Sequence, residues 1–70
     1  MAIDRAERFD VFKLEPNGMP TWRGGYPSLQ DAVTDAQRFT LEDRADYFVA
    51  DMLTGEQVEV PFLEAALARR

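Results

Sequence analysis

The chain contains neither cysteine nor histidine. Disulfide staples and the usual zinc ligands are thereby excluded. So are the thiolate nucleophile and the imidazole base on which most covalent and acid–base catalysis is built. A single lysine is present, Lys13, placed in a segment of alternating faces where it points most simply to solvent. Glycine and proline are scarce, four of each, so no stretch reads as low-complexity linker. No apolar run approaches the roughly 20 residues that a bilayer-spanning helix needs. The opening Met1-Ala2-Ile3-Asp4-Arg5-Ala6-Glu7-Arg8 lacks the apolar stretch of a secretory signal, so a cytoplasmic location is expected. Positive charge is the minority: 8 Lys and Arg stand against 13 Asp and Glu, a formal net charge of −5. Phosphate contacts dominate nucleic-acid affinity, so direct binding of DNA or RNA is not expected, and an anionic membrane surface would repel the chain.

What is present suits a packed domain. Hydrophobic residues make up 46% of the 70 positions, enough for one small core and no more. A domain of this size buries only roughly 60% of the surface that its unfolded chain exposes. Small proteins commonly add a disulfide, a metal or a partner subunit. With the first and the usual ligands of the second missing, a homodimer or a protein partner is the expected supplement.

Along the chain, Phe9-Asp10-Val11-Phe12-Lys13-Leu14-Glu15 is rich in strand formers. Asn17-Gly18 follows, a strong hairpin signal because both residues tolerate positive φ. The return strand is expected from about Met19 to Arg23, with Pro20 and the Gly24-Gly25 pair marking an edge strand that ends or bulges there. Ser28 is a good N-cap, and Asp31 three residues on resembles a capping box. Leu29, Ala32, Val33, Ala36 and Phe39 then form one apolar stripe, predicting a helix from Leu29 to Phe39 or Thr40. Leu41-Glu42-Asp43-Arg44 reads as a polar connection, and Ala45 to Asp51 as a central strand. A turn through Gly55 leads to Gln57-Val58-Glu59-Val60, which alternates as a half-buried strand should, and Pro61 stops it. Phe62 to Arg70 has helix formers at one-turn spacing but is too short to stand alone in water, so it must dock against something.

The expected fold is therefore α+β, a two-layer ββαββ unit. A four-stranded antiparallel sheet carries one main helix, with a short C-terminal helix in addition. Residues 1–7 are expected as a flexible N-terminus, 8–60 as the domain and 61–70 as a helical extension. One feature of this arrangement is unbalanced. Phe9 and Val11 fall on one side of the first strand, Phe12 and Leu14 on the other; Tyr47 and Val49 oppose Phe48, Ala50 and Met52 in the third. Both sheet faces thus carry apolar side chains, and one helix covers only one. The C-terminal helix of the same chain, or a partner's sheet or tail, must cover the second.

Four features together resemble a group of small uncharacterised bacterial proteins of about this length. They are Phe9-Asp10-Val11-Phe12-Lys13-Leu14, the Asn17-Gly18 turn followed by Trp22, the alanine-bearing helix, and Tyr47-Phe48-Val49-Ala50-Asp51 ahead of Thr54-Gly55-Glu56. The likeness covers about residues 8 to 60 and implies the ββαββ layout without an activity. Residues 61–70 and Gly24-Gly25-Tyr26-Pro27 depart from that group. A more distant likeness is to antitoxins whose N-terminal halves are strand–strand–helix, though their acidic, glycine-bearing pattern is not closely matched.

No enzyme is expected. Asp31 and Asp35 sit one turn apart, but nothing apolar flanks them to perturb a pKa, and solvated surface carboxylates are the simpler reading. With Glu42, Asp43 and Asp46 they lack the glycine-punctuated loop of an EF-hand. Gly24-Gly25 lacks the Lys-Ser/Thr sequel of a phosphate loop. No metal and no cofactor is therefore expected. For binding, Trp22, Arg23 and Tyr26 lie close together near the rim of the first hairpin and are of the types enriched at hot spots. The alternative is that Trp22 and Tyr26 complete the core. Phe62, Leu63 and Leu67, with Ala66, form the second candidate surface, unless the tail packs on its own sheet. The expected function is a non-catalytic, self-associating protein–protein interaction module. The alternative is an acidic inhibitor, encoded by a phage or mobile element, that occupies a nucleic-acid-binding host enzyme.

Overall fold

The computed structural model describes residues 7–63. Its elements run β1 (Phe9–Leu14), β2 (Pro20–Tyr26), α1 (Leu29–Asp43), β3 (Tyr47–Asp51) and β4 (Gln57–Val60). All pairings are antiparallel and the strand order is β2-β1-β3-β4. The expected α+β sheet with one helix is therefore present. Residues 1–6 of the expected flexible N-terminus, and residues 64–70 of the expected C-terminal helical extension, with Leu67, lie outside the described residues, and residues 61–63 are not helical.

The first hairpin closes through Glu15–Met19. The amide of Gly18 donates to the Glu15 carbonyl at 2.8 Å, and Gly18 takes φ 87°, which glycine reaches without a Cβ penalty. Asn17 Oδ1 accepts from the Met19 amide at 2.9 Å. Two corrections concern element ends. β2 does not stop at the glycine pair but continues to Tyr26, absorbing one extra residue on the way: Val11 pairs with Gly24 and Phe12 with Trp22, which leaves Arg23 as a β-bulge. α1 runs one turn beyond Phe39. Thr40 is buried and continues the apolar stripe, its hydroxyl donating to the Gln37 carbonyl at 2.7 Å, so the polar side chain costs little there. The helix begins where expected, with Ser28 Oγ accepting from the Asp31 amide, and ends at Arg44 in the left-handed region, φ 54°.

The core lies between α1 and one face of the sheet. Val11, Val49, Tyr47 and Val60 rise from the strands to meet Ala32 and Ala36 of the helix, with Phe9, Tyr26, Val33, Phe39 and Ala45 around them. Ala32 and Ala36 are fully buried, and their small side chains let α1 sit close over the two central strands. The start of β1 is tied to the end of β3 by a bidentate pair, Arg8 Nε to Asp51 Oδ1 at 2.8 Å and Nη2 to Oδ2 at 2.7 Å. Asp51 also accepts from the Leu53 amide, ordering the β3–β4 turn.

Two outcomes follow from this packing. Ala36→Leu forces extra methylenes between helix and sheet and is expected to cost about 1–3 kcal/mol in urea denaturation. The Arg8 hydrogen bonds hold the Asp51 carboxyl well below the usual carboxylate range. A depressed folded pKa contributes stability above the unfolded value of about 4, and that contribution is lost as pH falls through the folded pKa. Asp51→Asn should therefore lower the melting temperature at neutral pH and narrow its gap from the wild type below about pH 4.

Candidate functional site

The pleat of the sheet assigns every strand residue to one of two faces. On the side away from α1 stand Phe12 and Leu14 of β1, Pro20 and Trp22 of β2, Phe48 and Ala50 of β3, and Gln57 and Glu59 of β4. This follows from registers that pair Trp22 with Phe12, Phe12 with Phe48, and Phe48 with Glu59. A continuous row thus crosses all four strands: Trp22, Phe12, Phe48, Glu59. Phe12 and Phe48 are stacked, ring centroids 5.2 Å apart at 19°, and such pairs contribute about 0.5–1.5 kcal/mol beyond their buried area. Trp22 continues the row with 57% of its surface exposed, and Leu14, paired with Pro20, is 40% exposed. Beside them a groove of about 320 Å³ opens among Leu14, Asp46, Phe48, Glu59 and Pro61. Among the described residues no helix or loop lies over this face.

The charge on the face is of one sign. Asp10 stands on it, paired with Gly25 on one side and Ala50 on the other. A Cβ built on Gly25 would come within 3.0 Å of the Glu7 carboxylate and 3.2 Å of that of Asp10, so the missing side chain leaves room for both acids. Glu59 ends the aromatic row. None of the open-face strand positions holds a lysine or arginine.

The helix side is different. Arg23, carried there by the bulge, packs its guanidinium 4.5 Å from the Phe39 ring centroid and donates to Asp43 at 2.8 Å and to the Tyr47 hydroxyl. The Tyr47 hydroxyl in turn donates to Asp43. Burial, then the Asp43 hydrogen bond, push the Tyr47 phenol well above its usual pKa, and the bond from Tyr47 lowers that of Asp43. Arg23, Tyr47 and Asp43 thus form a closed set that locks the end of α1 to β2 and β3, with every partner already engaged.

The three hairpin candidates are therefore not one surface. Trp22 lies on the open face. Arg23 belongs to the helix-side network, and Tyr26 packs against the core and over Gly24. Of the tail candidates, Phe62 is half-buried with its amide donating to Asp46 Oδ1 at 2.9 Å, and Leu63 is 58% exposed beside Val33, Gln37 and Leu41 on the helix side. Phe12 and Phe48, the centre of the row, were not among the expected site residues; their membership follows from the alternation of β1 and β3 together with the pairing of those strands. Asp35 is engaged by Arg38 at 3.6 Å, and among the described residues no three acidic side chains converge as metal ligands. No described helix is long and apolar enough to cross a membrane. Compared with protein-family models, with curated proteins and with solved structures, the chain matches none.

Placement of Trp22 outside the core has a measurable consequence. Truncating a core tryptophan costs about 3–5 kcal/mol. Trp22→Ser is expected to change unfolding free energy by no more than about 1 kcal/mol, because most of the ring is already in water.

Proposed function

We propose that this protein is a non-catalytic protein-interaction module and that its binding surface is the open face of the sheet. The observation that carries this reading is the Trp22–Phe12–Phe48 row, held in register on a rigid sheet and uncovered by any described residue. Contiguous exposed apolar surface of this kind marks interaction sites in small proteins. Tryptophan is the residue type most enriched where binding energy concentrates. A module is also what the chemistry of the rest supports: the polar cluster of Arg23, Tyr47 and Asp43 is saturated by its own hydrogen bonds, as is the Arg8–Asp51 pair. Self-association is the less favoured use of the face, since a second copy would bury Asp10 and Glu59 and its open-face strand positions supply no lysine or arginine to pair them.

The test compares baits in cells of the native source. Wild-type protein, Trp22→Ser and the helix-side variant Gln37→Ala are immobilised and their retained proteins quantified. Partners held by wild type and by Gln37→Ala are expected to fall at least tenfold with Trp22→Ser. Equal retention by Trp22→Ser, with its fold intact by circular dichroism, refutes the open face as the binding surface.

A further inference from the structure

We infer that the open face takes a short extended peptide segment of a partner protein in which arginine or lysine stands two residues from an apolar side chain, so that both face the sheet. This rests on the open face being the binding surface and adds what binds there. Size is the first argument. The face spans three strand spacings, about 14 Å, and the length of the six-residue β1, about 20 Å, an area of order 300 Å². A stable interface between folded proteins, a second copy included, takes about 800 Å² from each side. A single segment needs no more than the face supplies.

Charge is the second argument. Asp10 sits on a central strand, two positions along β1 from Phe12, and Glu59 closes the other end of the aromatic row. Any cover on Phe12 and Phe48 therefore takes water from the neighbourhood of these carboxylates. A neutral cover leaves them desolvated and unpaired, which opposes binding, and an acidic one adds repulsion. A guanidinium or ammonium converts the same cost into a charge-assisted hydrogen bond. A flanking arginine also has the faces of Trp22 and Phe12 to stack on. In a strand-like segment side chains two positions apart share a face, so cations two residues from an apolar side chain that covers the row reach the acids on either side of it. Single-stranded nucleic acid could stack on the same rings, but its phosphates would meet acids and no cation.

Trp22 is the only tryptophan, so its emission reports what covers the row. The full chain is titrated with a ten-residue peptide that carries leucine and arginine in turn at every second position with serine between them, with the same peptide carrying neutral citrulline for arginine, and with decathymidine. The arginine peptide is expected to shift the emission to the blue and to bind at least tenfold more tightly than the citrulline peptide. Asp10→Asn/Glu59→Gln should remove that difference. Asp35→Asn/Glu42→Gln, which changes net charge equally on the helix surface, should keep it. Equal binding of the two peptides overturns the cationic partner but leaves the open-face reading standing. Equal weakening by the two double variants overturns it as well, reducing the effect to net charge. Binding of decathymidine in preference to the arginine peptide refutes a peptide ligand, and no emission change with either peptide at millimolar concentration does the same. Because the bait comparison uses Trp22→Ser and no peptide, failure of the cationic segment is told apart from failure of the open face itself.

Discussion

The contact on which the rest of this structure depends is that of Ala32 and Ala36 with the central strands. Both alanines are fully buried against a layer made by Val11, Val49 and Tyr47. Small side chains on the helix and larger ones on the sheet let one short helix close over β1 and β3. That closeness also limits what the helix can do. It covers the middle of one face, and every apolar residue of opposite parity is directed to the other. The open face is thus a geometric by-product of the core: strands apolar toward α1 and carrying Phe12 and Phe48 between those positions present a second apolar layer, which no described helix covers.

The bulge at Arg23 decides which side chains join that layer. Trp22 and Tyr26 are four positions apart and would share a face in an unbroken strand. The extra residue changes the parity, so Tyr26 pairs with Phe9 toward the helix while Trp22 pairs with Phe12 away from it. The same irregularity frees Arg23 to reach back over Phe39 to Asp43 and Tyr47. One inserted residue therefore divides a compact sequence cluster between a structural lock and a binding surface. It also helps to protect the sheet, since a bulged edge strand beginning with Pro20 is a poor template for a further strand.

Much of the layout was legible because it is written locally. The Asn17-Gly18 turn, the Ser28 cap and the stripe from Leu29 to Ala36 act within a few residues, and each marked its element correctly. The end of the helix was not legible, because Leu41-Glu42-Asp43 reads as a polar connection, yet α1 runs through it to Asp43, whose carboxylate Arg23 and Tyr47 hold. The candidate site was half legible. Alternation alone showed that both faces were apolar, and Trp22 was singled out. Which residues stand beside it depends on β1 pairing with both β2 and β3, and on where the bulge falls, neither of which has a local periodicity. Grouping Trp22 with Arg23 and Tyr26 was the price of reading proximity in sequence as proximity on a surface.

A partly exposed aromatic row on one face of a sheet is ordinarily an aggregation hazard. Here the acids on the same face bear on that hazard directly. Asp10 and Glu59 share their pleat with Phe12 and Phe48, so stacking the rows of two copies would bury carboxylates that no open-face strand position can pair. Charges placed only around the outer surface would keep the molecule in solution but would not govern what lies on the rings. Charges on the face do both. The carboxylates that hold one copy away from another are the same groups that a cationic segment would satisfy, so protection and selectivity come from a single arrangement. A mutation that neutralises them should weaken both together, and one that removes charge elsewhere should weaken neither.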